Sequence, residues 1–179
     1  MNTVKKLTTR EIFAQNQSRK RTSIFHKSSI LLHNIRSMHN VGSVFRSADG
    51  FGIQKLYLSG FTPVPPRPEI SKAALGAEEF VPWEQVNAVD LLSELGKTHT
   101  IIGIEQTNQS ENMVTYQPDN RPFCIIMGNE VKGLDSELFP FIHTFLEIPQ
   151  FGKKHSFNVS VTAGISLYAL FQKNENISA

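Results

Sequence analysis

The sequence predicts an α/β fold: a parallel-sheet α/β architecture with helices on both faces. Three observations carry this prediction. The apolar runs Ser29–His33 and Phe123–Met127 lack the alternation of a half-exposed strand, as strands buried on both faces do. They alternate along the chain with segments whose apolar residues recur at the helical period. Of three polar, glycine-punctuated junctions, two follow strands, after Met127 and after Ile148, and parallel sheets bind ligands beyond the carboxyl ends of their strands.

Taken in order, Ser29–His33 is a short buried strand. Asn40 is placed to cap a helix whose apolar residues Val41, Val44, Phe45, Ala48 and Phe51 keep the 3.6-residue period, and Gly52 closes it. Lys55–Ser59 is the next strand. It runs into residues 62–68, where four prolines forbid regular ladder pairing. Residues 71–75 make a turn of helix, 80–83 a short strand, and Ala88–Leu95 a helix ended by Gly96. Strands follow at Thr100–Ile104 and Phe123–Met127, with a polar loop over 107–120 between them. Residues 135–142 form a short helix broken by Pro140, 145–148 a strand, and 158–171 the last helix.

At 179 residues, with 40% hydrophobic and 19% charged, the chain suits one domain with a sizeable core. No apolar run approaches the ~18 residues of a membrane span. The polar, basic N-terminus has no apolar stretch of the signal-peptide kind. Cys124 is the only cysteine, so an internal disulfide is excluded. Inside an apolar strand it reads as a buried structural thiol, in keeping with a reducing cytoplasm. The net charge of +2 is unevenly spread. Residues 1–27 hold seven Lys/Arg, among them Arg19, Lys20 and Arg21, against Glu11 alone, while the other 152 residues carry 11 basic and 15 acidic groups. A basic arm (1–27) on a mildly acidic body (28–179) suits a polyanionic partner. A solvated, frayed terminus is the plainer reading.

No G-x-G-x-x-G follows an early strand and no G-x-x-x-x-G-K-[ST] is present, which leaves dinucleotide-fold and P-loop chemistry unsupported. The six histidines, at 26, 33, 39, 99, 143 and 155, show no metal-ligand spacing and there is no second cysteine, so no metal site is expected. His155 and Ser156 are adjacent, and adjacent side chains rarely face each other. Ser156 therefore reads as a capping or hydrogen-bonding group, not a nucleophile. The first junction puts Asn40, Gly42 and Arg46 on one segment. Arg46 interrupts an apolar helix, either as a functional guanidinium or as a surface arginine with its stem packed down. The second junction sets Gly128, Asn129 and Glu130 at a strand exit. The third offers Gly152, Ser156, Asn158 and a helix N-terminus whose N–H groups can receive an anion or ring nitrogens.

Together the three segments resemble the motifs of the SpoU/TrmH RNA ribose 2′-O-methyltransferases. They read N-x-G-x-x-x-R (Asn40, Gly42, Arg46), G-N-E-x-x-G-L (128–134) and I-P-x-x-G-x-x-x-S-x-N-V-S-V (148–161), in the family's order. The stretch SKAALGAE (71–78) is similar to the family's K-T-A-L-G-A-E segment, and the resemblance covers residues 28–173. It implies a SPOUT fold with a C-terminal trefoil knot in a methyltransferase domain over 28–179. It also implies a homodimer with a composite active site. The methyl donor would be S-adenosylmethionine, held by Gly128, Ile148, Phe157 and Asn158. Asn40, Arg46, Glu130, Ser156 and Asn158 match the family's important polar residues, with Arg46 the catalytic one, acting with the partner subunit's cofactor. Arg19, Lys20, Arg21, Lys153 and Lys154 are expected to contact RNA.

The implied reaction is methylation of a ribose 2′-hydroxyl in tRNA or rRNA, in the cytoplasm and without a metal. The alternative is a catalytically idle RNA-binding protein that keeps the knotted fold. An activated sulfonium methyl needs mainly an aligned hydroxyl, which suits a site without metal or nucleophile. A guanidinium stays protonated, so Arg46 is expected to anchor a phosphate and stabilise a developing alkoxide. Phe157 departs from the family's leucine, and only the short basic arm, without a long N-terminal RNA-binding domain, is expected to precede the body.

Overall fold

The structure, a computed structural model, describes residues 4–18 and 24–177. Arg19, Lys20 and Arg21 thus lie outside the described residues. Within them, seven strands form one parallel sheet: β1 (Ser29–His33), β2 (Lys55–Ser59), β3 (Trp83–Val86), β4 (Thr100–Ile104), β5 (Glu111–Asn112), β6 (Phe123–Met127) and β7 (Thr144–Glu147). Their order is β3-β2-β1-β6-β4-β7-β5. The helices are α1 (Thr9–Ser18), α2 (Met38–Phe51), α3 (Pro68–Ala74), α4 (Ala77–Phe80), α5 (Ala88–Leu95) and α6 (Val159–Ile177), with 3-10 turns at Phe25–Lys27 and Ser136–Phe141. No helix among the described residues is long and apolar enough to cross a membrane.

The unalternating strands are explained by what covers them. Ile30 and Leu32 of β1, with Phe123, Ile125 and Met127 of β6, pack against α2, α3 and α6. Leu31, Cys124 and Ile126 point the other way, onto α5 and the 3-10 turn. Period-two side chains thus fill two cores, so both phases of each strand are apolar. Cys124 is fully buried, and burial pushes its thiol up to about 12, so it stays an uncharged packing group. Phe25 closes one end of the larger core, its ring 5.1 Å from Phe123 and 5.7 Å from Phe171. Phe25→Ala should destabilise the fold by about 3–5 kcal/mol, read by urea denaturation; a loss under 1 kcal/mol would mean the aromatic cluster is dispensable.

Four elements differ from expectation. Ser37, not Asn40, caps α2: its side chain accepts from the Asn40 N–H at 3.3 Å. The strand expected over 80–83 starts only at Trp83 and runs to Val86. Phe80 instead ends a helix over 77–80, because Leu75 (φ 53°) and Gly76 (φ 90°) reverse the chain in the left-handed region and restart a helix. The polar loop contributes β5, a two-residue strand at the sheet edge. The arm carries α1, begun by a reciprocal pair in which Thr8 N–H donates to Glu11 (2.7 Å) and Glu11 N–H to Thr8 Oγ1 (3.3 Å). Gly42 has a packing reason: a Cβ there would collide with the Ile70 carbonyl, so glycine lets α2 lie against α3.

Candidate functional site

β6, β4 and β7 lie side by side, and the segments leaving their carboxyl ends wall a cleft of about 780 Å³. Phe139, Ile148 and Phe157, all at least partly exposed, give it apolar surface, while Glu105, Gln106 and Glu130 supply polar groups. Its size is that of a small-molecule site.

The loop after β6 is held closed from within. Asn129 and Gly133 exchange backbone hydrogen bonds, each 2.9 Å. The Asn129 side-chain oxygen accepts the N–H groups of Val131 and Lys132. A Cβ on Gly128 would strike the returning backbone of Gly133, so the close approach that glycine permits here is of the loop to itself. Glu105, at the end of β4, accepts the Leu134 N–H (2.8 Å), and Gly133 (φ 72°) leaves room for that carboxylate. Across the cleft, the Gln106 amide donates to the His155 carbonyl at 2.8 Å, tying down the loop between β7 and α6.

Glu130 leaves this loop to meet the N-terminus of α2. Its carboxylate accepts the N–H groups of Arg36 (2.9 Å) and Ser37 (3.0 Å) and the Asn40 side-chain amide (3.0 Å). Burial acts to raise its pKa, but these donors outweigh burial and hold it below the usual carboxylate range. Asn40 then accepts from the Asn158 side-chain amide at 3.1 Å. The Asn158 oxygen takes the N–H of Ser160, and its backbone carbonyl that of Thr162, so Asn158 also caps α6. One chain of hydrogen bonds therefore joins the three motif segments. A shallow recess lined by Arg36, Ser37, Asn40 and Glu130 adjoins the cleft and shares Glu130 with it.

The buried His33 joins two strand ends to the partly exposed Asp135. His33 Nδ1 meets Ser59 Oγ at 2.7 Å, and His33 Nε2 meets Asp135 Oδ2 at 2.9 Å. The sequence of groups mimics a hydrolase triad, but Ser59 is 1% exposed and no substrate can reach it. The Asn34 amide also donates to Asp135, at 2.6 Å. Glu137 stands near enough that His33, Asp135 and Glu137 form a potential ligand cluster. Yet the imidazole nitrogen and the Asn34 amide already converge on Asp135, which is the geometry of a hydrogen-bonded brace.

Of the predicted residues, Gly128, Glu130, Ile148, Ser156, Phe157 and Asn158 line the cleft. Asn40 is joined to it through Glu130. Arg46 is not: it is exposed on α2, outside the cleft lining, and its side chain makes no hydrogen bond or ion pair among the described residues. Asn40 and Arg46, six residues apart on one helix, point about 120° apart. Lys153 and Lys154 are exposed on the loop before α6 and do not line the cleft. A Cβ on Gly152 meets open space, and no tight bend demands glycine there. Sequence reasoning missed Glu105, Ser37 and the His33–Asp135 pair. An S-x-x-N run before an apolar helix was the one available signal, for Ser37.

The model of the SpoU rRNA Methylase family matches residues 27–168. A putative TrmH family tRNA/rRNA methyltransferase of Staphylococcus saprophyticus is 27% identical over 154 residues, which are 83% of this chain and 59% of that protein. The chain thus spans about three fifths of the length of the curated relatives it matches. An AdoMet-bound rRNA methyltransferase from Sinorhizobium meliloti superimposes with a TM-score of 0.76 at 26% identity, over 82% of this chain and 56% of that one. A TrmH/SpoU tRNA modifying enzyme from A. aeolicus shares the fold, with a TM-score of 0.75 at 24% identity over 85% and 78% of the two chains. With a family match that runs from the start of the sheet well into α6 and takes in the cleft and all three motif segments, this chain belongs to the SpoU rRNA methylase family.

Proposed function

We propose that the protein transfers a methyl group from S-adenosylmethionine to a ribose 2′-hydroxyl of tRNA or rRNA. The observation that carries this reading is the hydrogen-bonded chain Glu130–Asn40–Asn158, which locks the three motif segments around one cleft. The residues present fit the cofactor. Ile148 and Phe157 offer apolar surface for an adenine ring, and the cleft carboxylates Glu105, Glu130 and Glu147 suit a cationic sulfonium. Gly128, Ile148, Phe157 and Asn158 would hold it. When bound, it supplies an electrophilic methyl group, so the protein has only to orient the hydroxyl and accept the developing charge.

The working unit in this reading is a homodimer with a C-terminal knot. Val161 (48% exposed), Ile165 (36%) and Tyr168 (53%) form an apolar stripe on α6 at positions i, i+4 and i+7. A second copy would cover that stripe. Since α6 packs on α2, the same contact would carry the unpaired Arg46 toward the other subunit's cleft. Lys153 and Lys154, and in the arm Arg19, Lys20 and Arg21, would neutralise RNA phosphates. The place of action would be the cytoplasm.

The test compares 2′-O-methylation across all tRNA and rRNA from cells with and without the gene. Loss at one mapped nucleotide is expected and names the substrate. No loss at any position would reject the enzyme and leave the idle RNA-binding protein.

A further inference from the structure

Phe61 is 60% exposed, and it projects from the carboxyl end of β2 as the second residue beyond Ser59. It stands on the edge of the sheet that bears the site, two strands from β6, or about 10 Å at the usual strand spacing. Nothing in its own chain explains its exposure, yet its backbone is tied to the neighbouring strand end. The Phe61 N–H donates to Asn34 Oδ1 at 3.1 Å. Asn34 itself sits in the left-handed region (φ 57°), and Gly60 (φ 64°) leaves room for its side chain. The next residue, Thr62, is buried; its hydroxyl accepts the Ile35 N–H (3.0 Å) and lies 2.8 Å from the Ser59 carbonyl.

The support continues into the site. The Asn34 carbonyl accepts from the Asn129 side chain at 2.7 Å, and Asn129 directly precedes Glu130. The hydrogen-bonded brace of His33, Ser59 and Asp135, which has no part in the proposed methyl transfer, fixes Asn34 and the end of β2 together. Arg36 follows Ile35, whose N–H is held by Thr62; it is exposed, its guanidinium unpaired among the described residues, and it lines the recess with Asn40 and Glu130.

An exposed benzyl ring offers a ligand one thing, its face. Beside a free guanidinium and a ribose-directed site, the matching partner is a nucleobase with its phosphate. We propose that Phe61 is a positioning residue: a stacking platform for a base of the substrate RNA adjoining the target nucleotide, with Arg36 on the intervening phosphate. This rests on the RNA reading above. The rigid turn matters because a pre-ordered ring loses little freedom on binding. Holding the neighbouring base fixes the register of the strand, and so which ribose reaches Glu130 and Asn40.

The test uses Phe61→Ala, Phe61→Leu, Phe61→Tyr and Phe61→Trp in the 179-residue chain, with bulk tRNA and bulk rRNA from cells lacking the gene as probes. Melting temperature, sedimentation and S-adenosylmethionine affinity should match wild type in all four. RNA Kd, and KM in methyl transfer, should rise about 10- to 100-fold for alanine and nearly as much for leucine. Tyrosine and tryptophan should stay within about threefold, since they keep the ring face. Alanine within twofold of wild type, or leucine as good as tyrosine, would overturn stacking, as would wild type that binds neither RNA. So would a change in sedimentation, which would make Phe61 a subunit contact. RNA binding that depends on the ring, without methyl transfer by wild type, would uphold the platform and reject the enzyme.

Discussion

Arg46→Ala is expected to lower methyl transfer about 100- to 1000-fold while leaving folding and cofactor affinity unchanged. Stability should hold because the side chain is exposed and unpaired; truncating such a residue on a helix usually changes folding by less than about 0.5 kcal/mol. Cofactor affinity should hold because Arg46 lies outside the lining of its own chain's cleft. The proposed role is electrostatic. A ribose hydroxyl must give up its proton as the methyl arrives, and a fixed guanidinium near that oxygen favours the alkoxide while gripping an adjacent phosphate by two parallel hydrogen bonds. Lysine keeps the charge but loses the planar fork, so Arg46→Lys should recover only a small part of the rate. Mixed dimers decide where the group acts. Arg46→Ala alone and a cleft-dead variant alone should both be inactive, and co-expression should restore up to about a quarter of wild-type activity through the one intact composite site. Mixed dimers with no activity would place Arg46 in its own chain's chemistry. Full activity of Arg46→Lys would remove any need for a guanidinium.

The extent to which such a site can be read from sequence depends on how far apart its partners lie. β1 and β6 are legible because both their faces are buried, which leaves an unbroken apolar run. The helix over 38–51 is legible from its periodicity, but its cap is not. Asn40 and Ser37 are both good capping types, and the choice falls to Ser37 because a carboxylate 90 residues away engages Asn40. Residues 80–83 mislead because Phe80, Val81 and Trp83 look like a strand, which in fact begins at Trp83, while the left-handed pair Leu75–Gly76 that starts the helix ending at Phe80 has no periodic signature. Glu105 and the His33–Asp135 pair were invisible for the same reason: their partners are 29 and 102 residues distant, and a lone Glu or His carries no pattern. The motif glycines were visible as letters but not as physics. Gly42 serves helix packing, Gly128 serves loop closure, and Gly152 meets no steric need.

Glu130→Ala should destabilise the protein by about 1–3 kcal/mol and slow methyl transfer about 100-fold. The carboxylate satisfies two N–H groups at the start of α2 and the Asn40 amide, and water can replace only part of that where the group is half buried. The larger effect is on geometry: freeing Asn40 loosens Asn158, which caps α6 and lines the cleft. Acid should reproduce the defect in wild type. Burial pushes the Glu130 pKa up but its three donors pull it down further, so the folded pKa lies below the unfolded one. Its contribution is therefore complete above the ordinary carboxylate pKa of about 4.3 and is lost as pH falls through the lower folded value. Glu130→Gln keeps one acceptor oxygen but turns an amide toward a backbone donor. It should sit between wild type and alanine, and it should lack this part of the acid limb in a pH series of urea denaturations. If wild type and Glu130→Gln lose stability in parallel below pH 4.3, another carboxylate is responsible. A double-mutant cycle of Glu130→Ala with Asn158→Ala tests the relay itself. The two side chains touch only through Asn40, so an interaction energy of at least about 0.5 kcal/mol means that Asn40 transmits position from the loop to the helix, and strict additivity would break the relay into two unrelated contacts.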